Sequence, residues 1–273
     1  MRNRTILTAL WEAKSRLGQT CKDNPPMTNC DACGSSKSVT WQDIGEERGF
    51  WTDDAACASC AERREEERNR THYNKRFHAA GVPPIHNHYT LRSRIQPCGR
   101  ATLPPCEHQT GARALAMTYR APTWVCLAGS VGSGKTTILT ALFCDLIVKD
   151  RRSRSFQWYT EAGLFKAADI AGDESHGKRM KVMQRAAHAD ILMLDDMAGN
   201  RRALTDWQGG AIRDLIDERH RYERPTFFTT NLSCWKHLEQ RYGAHVISRM
   251  LEASTDLTVM DGCDLRLGGR NEN

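Results

Sequence analysis

Short apolar runs alternate with longer amphipathic stretches along the second half of the chain. Residues 124–128, 191–194 and Thr226–Thr230 have the length and character of buried strands, and residues 155–160 form a further candidate strand. Strands that are apolar throughout are typical of a parallel sheet, because such a sheet is covered on both faces. The alternation therefore predicts an α/β fold with a parallel sheet flanked by helices.

Helical periodicity follows two of these runs. Residues 136–148 carry apolar side chains around most of a helix, whereas residues 207–221 carry one stripe at Ile212, Leu215 and Ile216.

Composition divides the rest of the chain. Residues 1–80 hold two CxxC pairs and a charged stretch, and residues 81–121, rich in proline and polar residues, are predicted to be a connector.

Composition and charge exclude some classes of protein. The 273 residues, 40% of them hydrophobic, are enough for one large core and a small module, which excludes a disordered chain. A net charge of +6 is compatible with a nucleic-acid partner. The apolar run at residues 6–11 is too short for a membrane span or signal peptide, so a cytoplasmic protein without membrane contact is expected.

A phosphate-binding loop follows the first apolar strand. Eight residues match GxxxxGK[ST] in full: Gly129, Ser130, Val131, Gly132, Ser133, Gly134, Lys135 and Thr136. We expect Lys135 to reach the β- and γ-phosphates of ATP and the Thr136 hydroxyl to ligate Mg²⁺, with Thr137 included in the nucleotide site. A chance Gly/Ser loop is the alternative, and the strand before and helix after the loop argue against it.

Three polar residues end the neighbouring strands. Asp195 follows the run 191–194 and is predicted to hold Mg²⁺, and Asp196 to orient or deprotonate the attacking water. Asn231 ends the run Thr226–Thr230; it faces the γ-phosphate if that strand lies between the other two. Helix capping is the alternative for all three residues, and for Asn231 both roles are compatible.

Four cysteines in two CxxC pairs predict a zinc site: Cys30, Cys33, Cys57 and Cys60. The expected reducing cytosol argues against disulfides, and four thiolates leave no open position for chemistry, so the site is structural. A treble-clef or ribbon-like form is expected. The alternative is four unrelated buried cysteines. Cys21, Cys98, Cys106 and His108 are taken as ordinary residues.

Basic clusters occur at residues 149–154 and 176–181 and at Arg201–Arg202. The last two could line one surface that tracks a phosphate backbone, with Trp158 or Tyr159 stacking on bases. For any single cluster, a solvated loop is the favoured interpretation.

Together these motifs resemble the DnaC/DnaI-type helicase loaders and their relatives, the IstB-like AAA+ ATP-binding proteins. The resemblance covers roughly residues 78–268. Its segments are residues 80–84 (AGVPP), the phosphate loop, 194–197 (LDDM), Trp207 with 215–219 (LIDER), 225–226 (PT), 229–232 (TTNL), 247–251 (ISRML), and Gly262, Asp264 and Arg266.

The resemblance implies a fold, with domains, and a function. It implies an AAA+ ATPase core at residues 122–273 with a reduced lid. Residues 81–121 would form a connector and the start of the ATPase domain, and residues 1–80 a zinc-binding module with a charged helix. Arg249 would be an arginine finger acting on a neighbouring subunit, although from the residues alone it is a surface arginine on a helix. Arg266 would be a second sensor. Asp196 stands where many relatives carry Glu, which predicts slow hydrolysis.

The implied function is helicase loading during DNA replication. The zinc module would dock on a replicative helicase of the DnaB type, and ATP-bound subunits would self-associate through Arg249 on single-stranded DNA. Two rival hypotheses stay open. One is an IstB-like transposition helper that binds duplex DNA and a transposase. The other is a zinc-containing DNA-binding adaptor that uses ATP only as a switch.

Overall fold

A computed structural model describes residues 28–37, 39–45, 48–53, 56–86, 89–91, 101–102, 107–174, 176–199, 203–232 and 234–260. Several residues singled out above lie outside these ranges: Cys21, Cys98, Cys106, Arg201, Arg202, Gly262, Asp264 and Arg266. Among the described residues, no helix has both the length and the apolar character needed to cross a membrane.

The chain divides into two compact units, Met1–Asn69 and Arg70–Asn273. In the first, β1 (Val39–Gly45) pairs antiparallel with β2 (Arg48–Asp53). Helix α1 spans Ala58–Ala79. Of the first unit's described residues, the buried apolar ones form one small cluster: Cys30, Ala56, Cys57 and Cys60.

The second unit is an α/β layer structure. Short pieces precede its main sheet: two 3-10 turns (Pro84–His86, Glu107–Gln109) and the paired β3 (Tyr89–Thr90) and β4 (Ala101–Thr102). The remaining elements are α2 (Thr110–Thr118), β5 (Trp124–Gly129), α3 (Lys135–Lys149), β6 (Phe156–Thr160), α4 (Glu161–Glu174), α5 (His176–His188), β7 (Ile191–Met197), α6 (Asp206–Arg221), β8 (Thr226–Thr230), α7 (Trp235–Tyr242), α8 (Ala244–Ala253) and β9 (Ser254–Met260).

The five main strands are all parallel and lie in the order β6-β7-β8-β5-β9. Strand β8 therefore separates the P-loop strand β5 from β7, which is the strand order of additional-strand P-loop folds of the AAA+ type. The predicted fold class is confirmed for the parallel sheet and for the convergence of the four cysteines. The reduced lid stays a prediction.

The sheet carries a hydrophobic core on each face. Along β5, Val125 and Leu127 belong to one core cluster, and Trp124 and Cys126 belong to the other. Successive side chains of a strand point to opposite faces, so a strand buried on both faces must be apolar at every position. This explains why the apolar runs predicted the strands.

The edge strand β6 is covered by the segment that follows α1. The backbone N–H of Trp158 donates to the Ala80 carbonyl oxygen at 2.7 Å. Gly81 has φ +82°, and a Cβ placed there would lie 2.8 Å from the Trp158 carbonyl oxygen. Only glycine fits this position without strain.

Burial of β6 side chains contradicts part of the nucleic-acid hypothesis. Trp158 is 7% exposed, and its Nε1 donates to Thr140 Oγ1 at 3.4 Å. Stacking of Trp158 on bases is therefore wrong, because helix α3 already covers the ring. Tyr159 is half-buried, and its hydroxyl donates to Gln157 Oε1 at 2.9 Å.

A buried arginine on α6 caps the C-terminal end of helix α5. The Arg219 side chain, on α6, is fully buried and donates to the carbonyl oxygens of Ala186, Ala187 and Ala189 at 3.0, 3.2 and 2.6 Å. These carbonyls lie at the helix end and lack partners within the helix. Burial lowers the pKa of Arg219 to about 9, which still leaves the guanidinium charged at neutral pH.

Candidate nucleotide site

The loop between β5 and α3 depends on glycine at three positions. Gly129, Gly132 and Gly134 have φ values of 131°, 78° and 90°, a region that residues with a Cβ rarely adopt. A Cβ on Gly129 would also collide with the Met260 carbonyl oxygen at the end of β9. The loop therefore curls back and leads directly into α3, whose N-terminus favours anions.

Lys135 is 6% exposed and lies against this loop. Its Nζ donates to the carbonyl oxygens of Gly129 and Ser130 at 3.0 and 2.7 Å, and it lies 3.4 Å from Ser133 Oγ. The ammonium group is thus held by the loop itself. A phosphate group that enters the loop can replace these carbonyl oxygens as the partner of the ammonium group.

Two hydroxyl groups converge on Asp195, which is 5% exposed. Thr136 Oγ1, from the first turn of α3, donates to Asp195 Oδ1 at 2.8 Å. Thr229 Oγ1, from β8, donates to the same oxygen at 2.5 Å. A carboxylate and a hydroxyl held together are the hard oxygen ligands that Mg²⁺ prefers, so these residues fit the predicted ion. Thr137 is half-buried beside them in α3.

Asp196 lies in a bulge of β7. Leu194 pairs with Phe228 and Met197 pairs with Thr230, so β7 has one extra residue between these pairings. Asp196 has φ 53° and an exposed side chain. The two consecutive aspartates therefore differ in their surroundings: Asp195 is buried against Thr136 and Thr229, and Asp196 is exposed in the bulge.

Asn231 and Asp196 are in direct contact. Asn231 Nδ2 donates to Asp196 Oδ1 at 3.0 Å, and the backbone N–H of Asp196 donates to Thr229 Oγ1 at 2.8 Å. The structure therefore brings Lys135, Thr136, Asp195, Asp196 and Asn231 to one edge of the sheet. Their roles in catalysis stay predictions.

Two further residues at this edge were missed by the sequence reasoning. Thr229 bridges Asp195 and Asp196; it lies in the TTNL segment of the resemblance, but no role was predicted for it. Gln109 is 3% exposed, and its Nε2 donates to the Ser133 carbonyl oxygen of the loop at 3.0 Å. Its Oε1 accepts from Arg113 Nε at 3.0 Å. The segment around Gln109 was predicted to be a connector and the start of the ATPase domain, and no motif marks Gln109 itself.

Arg249 lies on α8 in a cluster of ion pairs. Its Nη1 donates to Glu252 at 3.3 Å, and its Nε lies 3.8 Å from Asp217 on α6. His245 Nε2 lies 2.7 Å from the same Asp217 carboxylate. The Arg249 side chain is 39% exposed, so it faces the surface, as an arginine acting on another subunit must. That role stays a prediction, and Arg266 lies outside the described residues.

The four cysteines of the first unit come together. Their sulfur atoms all lie within 4.8 Å of one another, and Cys33 Sγ is 3.4 Å from Cys57 Sγ. Gly34, with φ 74°, closes a tight turn in which its N–H donates to the Cys30 carbonyl oxygen at 2.8 Å. Cys60 lies in the first turn of α1.

The four thiols differ in how readily they ionise. Backbone N–H groups directed at Cys30 lower its pKa to about 6. Hydrogen bonds with the neighbouring thiols raise the pKa of Cys60 to about 12, so one sulfur ionises readily while another resists. Four cysteine sulfur atoms this close together are the ligand set of a structural zinc site, so the residues fit Zn²⁺ by their geometry.

The fold resembles those of several solved structures. The crystal structure of the DnaC helicase loader matches with 24% identity and a TM-score of 0.48, over 58% of this chain and 93% of that chain. The DnaI crystal structure matches with 17% identity and a TM-score of 0.49, over 66% and 94%. The replication initiator DnaA, bound to AMPPCP and single-stranded DNA, matches with 15% identity and a TM-score of 0.48, over 58% and 48%.

The match to the DnaA structure spans about half of that chain. No protein-family model matches the sequence, and no curated protein matches it.

Proposed function

We propose that the second unit binds ATP with Mg²⁺ and hydrolyses it. The observation that carries the proposal is the contact between Thr136 Oγ1 and Asp195 Oδ1 beside the Lys135 ammonium group. Lys135 binds the β- and γ-phosphates, and Thr136 and Asp195 hold the ion. When bound there, the ion would neutralise the charge that develops on the phosphate oxygens.

Asp196 and Asn231 serve the attacking water. Asn231 orients the water, and Asp196 accepts its proton; the hydrogen bond between their side chains keeps both groups at one place. The Asp196 side chain is one methylene shorter than glutamate, so the carboxylate reaches less far. Hydrolysis is therefore slow.

The cellular role that fits best is loading of a replicative helicase of the DnaB type. This proposal rests on the motif resemblance and on the four-cysteine cluster, a module for docking on a partner protein. Subunits associate through Arg249, which completes the neighbour's site. The chain delivers the helicase to single-stranded DNA, and hydrolysis releases the loader.

A basic face of α5 suits the DNA. Lys178, Lys181 and Arg185 are exposed at helical spacing on one side of the helix. Arg179 does not belong to this face, because it pairs with Asp169 at 2.7 Å and stacks on Trp207 at 4.4 Å. The three cations can follow a phosphate backbone without reading its sequence.

Substitution of the basic face tests DNA binding. The triple change Lys178→Ala, Lys181→Ala, Arg185→Ala removes three phosphate contacts, so the slope of log K against log salt for single strands should fall by about 2. Fluorescence anisotropy with labelled oligonucleotides measures the slope. The matched control is Lys149→Ala, Arg151→Ala, Arg152→Ala, which removes the same charge from exposed residues elsewhere. Equal slopes for both triple variants would exclude the α5 face.

A pull-down from the native host, with and without ATP, tests the cellular role. Recovery of a hexameric helicase supports loading, and recovery of a transposase overturns it in favour of the transposition helper. ATP binding without turnover would favour the adaptor that uses ATP as a switch.

A further inference from the structure

Glu161 is a buried carboxylate at the edge of the nucleotide site. It is the first residue of α4, directly after Thr160, whose register partner on β7 is Asp195. Its side chain is 3% exposed. A buried charge is costly unless it is paired and hydrogen-bonded, so its partners indicate what the charge is for.

The partners of Glu161 come from two distant parts of the chain. Its Oε2 accepts from the backbone N–H of Ala198 at 3.0 Å, and Arg241 Nη2 lies 3.4 Å from the same oxygen. Its Oε1 accepts from the Tyr242 hydroxyl at 2.8 Å. Burial and the Glu161 charge hold the pKa of Tyr242 above its ordinary value, so that hydroxyl keeps its proton and donates.

The Ala198 N–H belongs to the turn that carries Asp196. Asp196 and Ala198 have φ values of 53° and 61°, and the Gly199 N–H donates to the Asp196 carbonyl oxygen at 3.0 Å. Residues other than glycine hold such conformations only where their surroundings fix them. Glu161 supplies one fixed point by its bond to Ala198.

The other end of the network is helix α7. Arg241 and Tyr242 are the last two residues of α7, which begins four residues after Asn231. Glu161 therefore joins the turn after β7 to the helix after β8. The two side chains predicted to handle the attacking water, on Asp196 and Asn231, stand at the start of these two segments.

We propose that Glu161 is a positioning residue for hydrolysis, which holds the 196–199 turn against α7 so that Asp196 meets the attacking water. The inference rests on the ATPase function proposed above. Loss of the carboxylate lets the turn relax. The turnover number falls while the phosphate loop, and with it ATP affinity, is unchanged, because small misplacements of a catalytic group slow the chemical step.

Steady-state ATPase kinetics of the full chain test this role. Glu161→Ala is expected to lower kcat at least 10-fold and to leave KM for ATP, and the affinity for a non-hydrolysable analogue, within about twofold. Glu161→Gln keeps an acceptor for the Ala198 N–H and should restore most of kcat. Tyr242→Phe removes one hydrogen bond and should lower kcat severalfold. Asp169→Ala is the control, since Asp169 is an α4 carboxylate paired with Arg179; its kcat should equal that of the wild type.

The outcomes distinguish failure of the positioning role from failure of the ATPase function. Unchanged kcat in Glu161→Ala, or a raised KM with unchanged kcat, overturns the positioning role and leaves the ATPase in place. If Glu161→Ala does not fold by circular dichroism, unchanged kcat in Tyr242→Phe overturns it instead. A wild-type chain that binds ATP but never turns it over overturns the ATPase function itself, and the inference with it.

Discussion

The four-cysteine cluster and the nucleotide site are held together in different ways. The cluster gathers residues from two short segments, and Ala56 is the one buried apolar residue that joins three of its cysteines among the described residues of the first unit. The nucleotide site stands on a five-stranded sheet with a hydrophobic core on each face. We therefore expect the first site to depend on its metal for stability, whereas the hydrophobic core stabilises the second.

Removal of zinc should give the largest effect in this comparison. Structural zinc sites contribute about 10 kcal/mol or more of apparent binding free energy, most of which is folding free energy. We expect a chelator, or Cys57→Ser with Cys60→Ser, to abolish metal content and to unfold the first unit. ATP affinity should stay within twofold. Metal analysis and fluorescent-nucleotide titration measure the two quantities, and loss of ATP binding together with zinc would show that the sites depend on each other.

Lys135→Ala is the converse change. Loss of this buried ammonium group should weaken ATP binding by about 3 kcal/mol, roughly 100-fold or more. The reason is that a charge-assisted hydrogen bond to phosphate is lost inside the loop. Zinc content should stay at the wild-type value. Isothermal titration with ATP gives the first number. Ser130→Ala is the matched control within the loop, because the exposed Ser130 contacts Lys135 through its backbone carbonyl oxygen.

Gly81→Ala should give an intermediate effect confined to the second unit. The new Cβ meets the Trp158 carbonyl oxygen at 2.8 Å, and φ +82° is unfavourable for alanine, so we expect a loss of about 2 kcal/mol of unfolding free energy. Denaturant unfolding followed by tryptophan fluorescence measures it. Gly111→Ala, where a Cβ meets nothing within 4 Å, is the control. Equal stability of the two variants would contradict the proposed packing against β6.

Asp196→Glu should give the smallest effect. The longer side chain brings the carboxylate nearer to the water, and we expect kcat to rise severalfold, equivalent to about 1 kcal/mol or less of barrier height. Single-turnover assays separate this step from product release. A lower kcat would mean that the positive φ of the bulge, rather than reach, decides how residue 196 works.

Local sequence patterns predicted the phosphate loop and the four-cysteine cluster, whereas the other residues of the site depend on contacts between distant parts of the chain. The phosphate loop and the CxxC pairs are readable because their residues are close in sequence. Thr229 could not be found in this way, since its role depends on β8 lying beside β7. Glu161 contacts Tyr242 across a large sequence separation, and no spacing rule marks such a pair.

The error on Trp158 has the same cause. An aromatic residue on an edge strand looks available for stacking, but the segment around Ala80 and helix α3 cover it. The pairing that buries it joins residues far apart in the chain. Sequence pattern gave its secondary structure correctly and its exposure incorrectly.

The close approach of Gly129 to the Met260 carbonyl oxygen has a consequence for synthesis. Strand β9 follows every other described part of the nucleotide site in sequence. On the ribosome, the phosphate-loop motif therefore emerges more than a hundred residues before the strand that packs against its first glycine. A nascent chain halted before residue 254 should carry the motif without the finished loop, and we expect it to bind ATP only after β9 has joined β5.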